Sequence, residues 1–116
     1  MEMKERESGD VTILDLSGTI TQGGGDLDLK ERLQSLVQGG RKNIVLNLEN
    51  LSYIDSAGLG GLVSAHTTLS REGGRVKLAN VTKKLQDLLS ITKLYLVFDT
   101  FDSEAAAVES YRERVG

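Results

Sequence analysis

The chain has 116 residues, 39% of them hydrophobic and 27% charged, with a formal net charge of −3, which fits one domain around one core, residues 1–116 throughout. It has no cysteine, so disulfides and thiolate metal sites are excluded, and its Lys and Arg are scattered rather than grouped, against a nucleic-acid footprint. No apolar run approaches the ~18 residues of a bilayer span, and the charged first seven residues lack a signal peptide's apolar region. The expected partners therefore include neither nucleic acid nor membrane, and the expected location is the cytoplasm. Aromatics make up 4%, so the core must be built from Leu, Val, Ile and Ala.

Residues 1–7 read as a short charged edge strand, turned at Ser8, Gly9 and Asp10 into a second strand over residues 11–17 that Gly18 ends. Residues 19–25 read as a loop. Its triple glycine, Gly23, Gly24 and Gly25, lacks the Gly-Lys-Ser/Thr end of a phosphate-binding loop and is taken as a flexible connection. Asp26 is expected to cap a helix whose Leu29, Leu33, Leu36 and Val37 recur at helical spacing, stopped by Gly39 and Gly40. Residues 43–48 are apolar with little alternation, as in a strand covered on both faces. A short loop, a helix to about Arg71, a turn at Gly73 and Gly74, and a strand over residues 75–79 follow. Thr82 caps a helix with Leu85, Leu88 and Leu89 on one face. Residues 94–98 read as a short final strand. Ser103 caps a last helix with Val108, Tyr111 and Val115 in one stripe. Strand and helix alternate from Val11 onward, which argues an α/β sheet with crossovers.

The joint after the central strand carries the strongest signal. Asp55-Ser56-Ala57-Gly58-Leu59-Gly60-Gly61 opens a helix with two possible side-chain caps, at a place where free N–H groups and partial positive charge favour an anion. Glycine costs about 1 kcal/mol relative to alanine in a helix, so three in this span imply that something needs the space. The joint is either a tightly packed structural elbow or a serine offered to another protein. Leu59 fits a surface anchor and a core residue equally. Asp55 fits a cap, and also a group that orients the Ser56 hydroxyl.

The run L-E-N-L-S-Y-I-D-S-A-G-L-G, residues 48–60, resembles the signature of anti-sigma factor antagonists in the STAS domain family. Gly18, the Gly73-Gly74 pair and the Leu85, Leu88-Leu89-Ser90-Ile91-Thr92 segment fall in matching order, so the resemblance covers nearly the whole chain. It implies a single α/β STAS domain: a mixed four- to five-stranded sheet with about four helices packed mainly on one face. It also implies a partner switch. The unphosphorylated protein binds an anti-sigma factor that is also a serine kinase and so frees a sigma factor. Phosphorylation at Ser56 releases the complex, and a serine phosphatase resets it. The protein would then be a substrate and competitor rather than an enzyme, with no cofactor, and a monomer when free. A non-switching STAS module, as a signalling scaffold or lipid-transport subunit, is the alternative.

Position by position, the family's phosphorylated serine falls on Ser56, and Ala57 removes a neighbouring hydroxyl that many relatives carry. Asp55, Ser56, Ala57, Gly58, Leu59 and Gly60 form the expected partner-binding run. Thr19 and Thr21 stand where relatives commonly have acids, in a loop that often lies near the serine. They are either hydrogen-bonding loop residues or further partner contacts. His66 is the one histidine and, without companions at ligand spacing, makes no metal site. It lies about 15 Å along the helix from Ser56 at 1.5 Å per residue, too far for a Ser-His pair.

Overall fold

A computed structural model describes residues 1–21 and 23–112. Five strands lie side by side in the order β1 (Glu2–Ser8), β2 (Val11–Ile20), β3 (Asn43–Ile54), β4 (Arg75–Ala79) and β5 (Asp99–Phe101). β1 pairs antiparallel to β2 through the tight turn at Gly9 and Asp10, and β2 to β5 run parallel. Each parallel connection carries a helix: α1 (Asp26–Gln38), α2 (Ser56–Arg71) and α3 (Lys83–Thr92). Consecutive strands that are spatial neighbours, linked by crossovers of one hand, put these three helices on the same face. There Leu29, Leu33, Leu62, Leu69, Leu85 and Leu89 pack on Leu14, Leu16, Leu46 and Leu78. Each fully buried leucine stabilises the fold by about 1.5–3 kcal/mol.

α4 (Glu104–Arg112) returns across the opposite face and buries Ala107, Val108 and Tyr111 on Val11, Ile13, Val45 and Ala79. The Tyr111 hydroxyl lies 2.8 Å from the Ile44 carbonyl oxygen and 3.1 Å from that of Arg75, its hydrogen shared between β3 and β4. Lys77 is buried beneath it, its Nζ donating to Ser110 Oγ at 2.7 Å and lying 4.2 Å from the Tyr111 ring centre. At the other end of α4, Arg6 donates to both carboxylate oxygens of Asp15, at 2.6 and 2.8 Å, and also to Glu104. These hydrogen bonds hold the Asp15 carboxyl below its usual range and raise Arg6 further. The mixed sheet with helices mainly on one face is the architecture expected from the sequence. Ser103 caps α4 through Oγ, accepting from Ala106 N at 3.1 Å. Val115 lies outside the described residues.

Several expectations need correction. Gly18 does not end β2. It sits inside the strand at φ +93, a conformation that favours glycine, between two register shifts at each of which β3 carries one extra residue. β3 does not stop at Leu48 but runs on to Ile54, paired with the distal half of β2. Beyond Leu48 its buried residues are Leu51 and Ile54, a spacing of three that the bulges produce and that hides a strand from a period-two reading. Asp26 is the first residue of α1 rather than its cap. Gly25, at φ +96, holds the cap position, and Asp26 Oδ1 accepts from Gly23 N at 3.1 Å. The triple glycine is likewise not a loose connection, since Thr21 and Gly24 exchange two backbone hydrogen bonds of 2.9 Å. Residues 94–98 form a 3-10 turn, Leu94–Leu96, and the final strand falls on Asp99–Phe101. Lys93 in the left-handed conformation ends α3 and wraps the chain so that Leu94 packs on the core and Phe98 is buried.

Candidate functional site

The backbone decides between the two possible caps of α2. Asp55 has extended geometry at the N-cap, and its Oδ1 accepts from Gly58 N at 2.6 Å. Its backbone carbonyl accepts the first helical bond from Leu59 N at 2.9 Å, and its own N–H donates to the Ile20 carbonyl at 3.3 Å. The aspartate therefore fixes the helix start to the end of β2 and satisfies one of the helix's unpaired donors. Ser56 follows as the first helical residue. It is exposed, and its hydroxyl has no hydrogen-bond partner among the described residues. With the cap made by its neighbour, Ser56 Oγ is left to solvent at the positive end of a 16-residue helix.

The three glycines have three different surroundings. A Cβ on Gly58 would overlap the Ile20 carbonyl group, and one on Gly61 would stand 2.9 Å from Asp26 Cβ at the start of α1. Gly60 has nothing within 4 Å of its Cβ position. Gly58 and Gly61 are thus required by close packing against β2 and α1, whereas Gly60 leaves bare backbone on the exposed side of the helix. Ser56, Ala57 and Gly60 are exposed, while Gly58 and Leu59 are buried, Leu59 to 2% exposure. Leu59 is accordingly core and not a surface anchor, because it points into the leucines between helices and sheet.

The end of β2 borders this helix start. Ile20 pairs with Ile54, and Thr19, opposite Tyr53, is exposed. Thr21 is half-buried and is held by its backbone bonds to Gly24. On the other side Tyr53 is 42% exposed, with Lys84 Nζ of α3 4.9 Å from its ring centre. The sequence reading missed this rim. A tyrosine before the Asp-Ser pair and a lysine just past the Thr82 cap were visible, but nothing local links residues 31 positions apart. Thr82 does cap α3, accepting from Leu85 N at 3.3 Å.

His66 lies away from this joint. It packs against Phe98 with ring centres 5.2 Å apart, and its Nδ1 is buried without a hydrogen-bond partner. Burial pushes its pKa down, opposed by the Asp99 charge. It lines a cleft of about 400 Å³ between α2, β4 and the start of β5, together with Ser70, Arg75 and Asp99, and Ser56 is not among the lining residues. Among the described residues no group of three or more His, Asp or Glu side chains is placed to hold a metal ion.

This fold is that of a known family. The chain matches the STAS domain over residues 2–107 and belongs to that family. It is 26% identical over 98 residues to an anti-sigma F factor antagonist of Paenibacillus polymyxa, covering 84% of each chain. It is 36% identical over 77 residues to an anti-sigma-B factor antagonist of Staphylococcus aureus, covering 61% of this chain and 71% of that one. A crystal structure from Thermotoga maritima superposes with a TM-score of 0.85 at 25% identity, over 96% of this chain and 95% of the other. Among the described residues no helix is long and apolar enough to cross a membrane.

Proposed function

We propose that the protein is an anti-sigma factor antagonist that works by partner switching in the cytoplasm. Unphosphorylated, it binds an anti-sigma factor with serine kinase activity and displaces the sigma factor. The kinase transfers a phosphoryl group from ATP to Ser56 Oγ, the complex separates, and a serine phosphatase restores the hydroxyl. The chain is the substrate and the competitor in this cycle and not its catalyst. One observation carries the reading: Asp55 makes the cap of α2, and Ser56 is left exposed with an uncommitted hydroxyl. The relatives named as antagonists of two different anti-sigma factors support the class of partner.

The chemistry of the switch follows from the position. A phosphoserine brings a charge of about −1.5 to −2 near neutral pH. At a helix N-terminus the domain itself tolerates that charge, so the modification acts on docking. A partner surface fitted to Ser56, Ala57 and the bare backbone at Gly60 would meet added bulk, an anion to desolvate, and the carboxylate of Asp55 beside it. Thr19 and Thr21, at the neighbouring end of β2, would extend the same contact surface. Asp55 and the packed Gly58 and Leu59 would hold its shape from beneath.

The test is to capture the partner from native lysate on the unmodified chain, add ATP, and map the modified residue by mass spectrometry. The expected result is one phosphate, on Ser56, and none on a Ser56→Ala chain that is still captured. Recovery of the same proteins by wild-type and Ser56→Asp chains, with no phosphate incorporated, would instead favour a STAS scaffold that does not switch.

A further inference from the structure

α2 and α3 follow the parallel strands β3 and β4, so both begin at the same end of the sheet. Tyr53 stands between these two helix starts and is exposed. Three steps of chain, at most about 11 Å, separate it from Ser56. Lys84 Nζ, 4.9 Å from its ring centre, holds the ring by cation–π attraction. The two residues line a cleft of about 120 Å³ whose other walls include Leu51, Ile54 and Leu85. Pockets for small molecules start at about 300 Å³. This one is too small for a metabolite and has room for one side chain of a protein.

Lys83 and Lys84 open α3, both exposed, with no acid in its first turn. The helix dipole disfavours positive charge there. Neither lysine has a salt-bridge partner among the described residues. Apart from the Tyr53 contact, the fold gains nothing from their charge. The nearby carboxylates are already engaged. Asp55 Oδ1 accepts from Gly58 N, and Asp26 Oδ1 accepts from Gly23 N and Leu27 N. Asp28 lines a different cleft, with Met1 and Arg32. Asp87, one turn further along α3, is exposed and pairs with neither lysine. The uncommitted charge beside Ser56 is therefore positive, on a chain whose net charge is −3.

We infer that Tyr53, Lys83 and Lys84 extend the Ser56 surface and dock an acidic face of the anti-sigma factor, one of whose side chains fills the cleft beside Tyr53. The inference rests on the proposed function and adds the chemistry of the partner's surface. The roles divide physically. An aromatic ring at the mouth of a small cleft is an anchor, and its loss speeds dissociation. Exposed charges of one sign steer the encounter and set its salt dependence. A phosphate on Ser56 adds a charge of about −1.5 to −2, enough to cancel both lysines. Phosphorylation then removes the attraction that brings the acidic face in.

Stopped-flow binding of the captured anti-sigma factor, at about 50 mM and about 300 mM salt, is the test. Association of the wild type should slow at least about fivefold over that range. Lys83→Glu/Lys84→Glu should associate at least about tenfold more slowly at the lower salt and lose the salt dependence. Lys42→Glu/Arg75→Glu makes the same charge change where β3 and β4 begin, at the opposite end of the sheet, and should slow association less than about threefold. Tyr53→Ala should raise the dissociation rate about tenfold or more. All these side chains are exposed, and matched circular dichroism checks the fold. Equal association by the two charge variants, or wild-type dissociation by Tyr53→Ala, would overturn the inference and leave the proposed function standing. A wild-type chain that captures no anti-sigma factor would overturn both. Phosphatidylglycerol vesicles that bind wild type but not Lys83→Glu/Lys84→Glu, with the anti-sigma factor binding both equally, would overturn the inference in favour of a lipid surface.

Discussion

Asp55 and Ser56 have equal chemical claim to the cap of α2, and the extended backbone at Asp55 gives it the role. The division of labour is measurable. Asp55→Ala should cost about 1 kcal/mol, the usual loss for a cap, read as a lower denaturation midpoint in urea. Ser56→Ala should change stability by less than about 0.5 kcal/mol, as expected of an exposed side chain without partners. The glycines separate in the same way. Gly58→Ala drives a methyl into the Ile20 carbonyl and should destabilise by about 1–3 kcal/mol or more. Gly60→Ala meets open space and should stabilise the helix by about 0.5–1 kcal/mol. Reversal of that order in chemical denaturation would mean that α2 does not sit on β2 as described.

At the scale of elements, what could be read in the sequence was what had a period. The stripe Leu29, Leu33, Leu36 and Val37 and the pair Leu85 and Leu89 are buried as expected, because one face of a helix recurs every three to four residues. The distal half of β3 was not legible. Its bulges against β2 put Leu48, Leu51 and Ile54 inward at a spacing of three, which breaks the alternation of a strand. Residues 94–98 misled in the opposite sense. Leu-Tyr-Leu-Val-Phe has strand composition, but a left-handed Lys93 wraps it into a turn, and the three residues of β5 carry too little pattern to be found. At the candidate site the Asp-Ser-Ala-Gly run and its glycines were visible. The assignment of Gly58 to β2 and Gly61 to α1 required contacts from elements distant in sequence. Since Leu33 is fully buried in the stripe that fixes α1, Leu33→Ala should cost about 2–5 kcal/mol, seen as an earlier thermal transition.

At the scale of the whole molecule, His66 links stability to pH. Its folded pKa lies below the ordinary value of 6.5, chiefly because burial disfavours the charged ring against Phe98. The groups facing it are Asp99 of β5, which draws the pKa back up, and the Arg75 side of the cleft. As pH falls below 6.5 the unfolded chain takes up this proton first, so stability is lost on the way down to the folded pKa and levels off below it. Melting curves recorded from about pH 7.5 to about pH 5.5 should show a falling midpoint in wild type and a flatter one in His66→Phe. Equal slopes would place the linkage elsewhere. The carboxyl of Asp15, held low by Arg6, adds a further loss only in the acid range, as pH falls through its folded pKa.

The central claim is that a phosphate on Ser56 changes what the protein binds and leaves its fold intact. The most direct measurement is calorimetric affinity of the captured anti-sigma factor for the unmodified and the Ser56-phosphorylated chain, each checked by its amide spectrum. The account predicts a dissociation constant at least about tenfold weaker for the phosphorylated chain, a loss of about 1.4 kcal/mol or more, with spectral changes confined to residues around α2's first turn. Equal affinities would contradict it, and so would a weakened complex accompanied by shifts throughout the sheet.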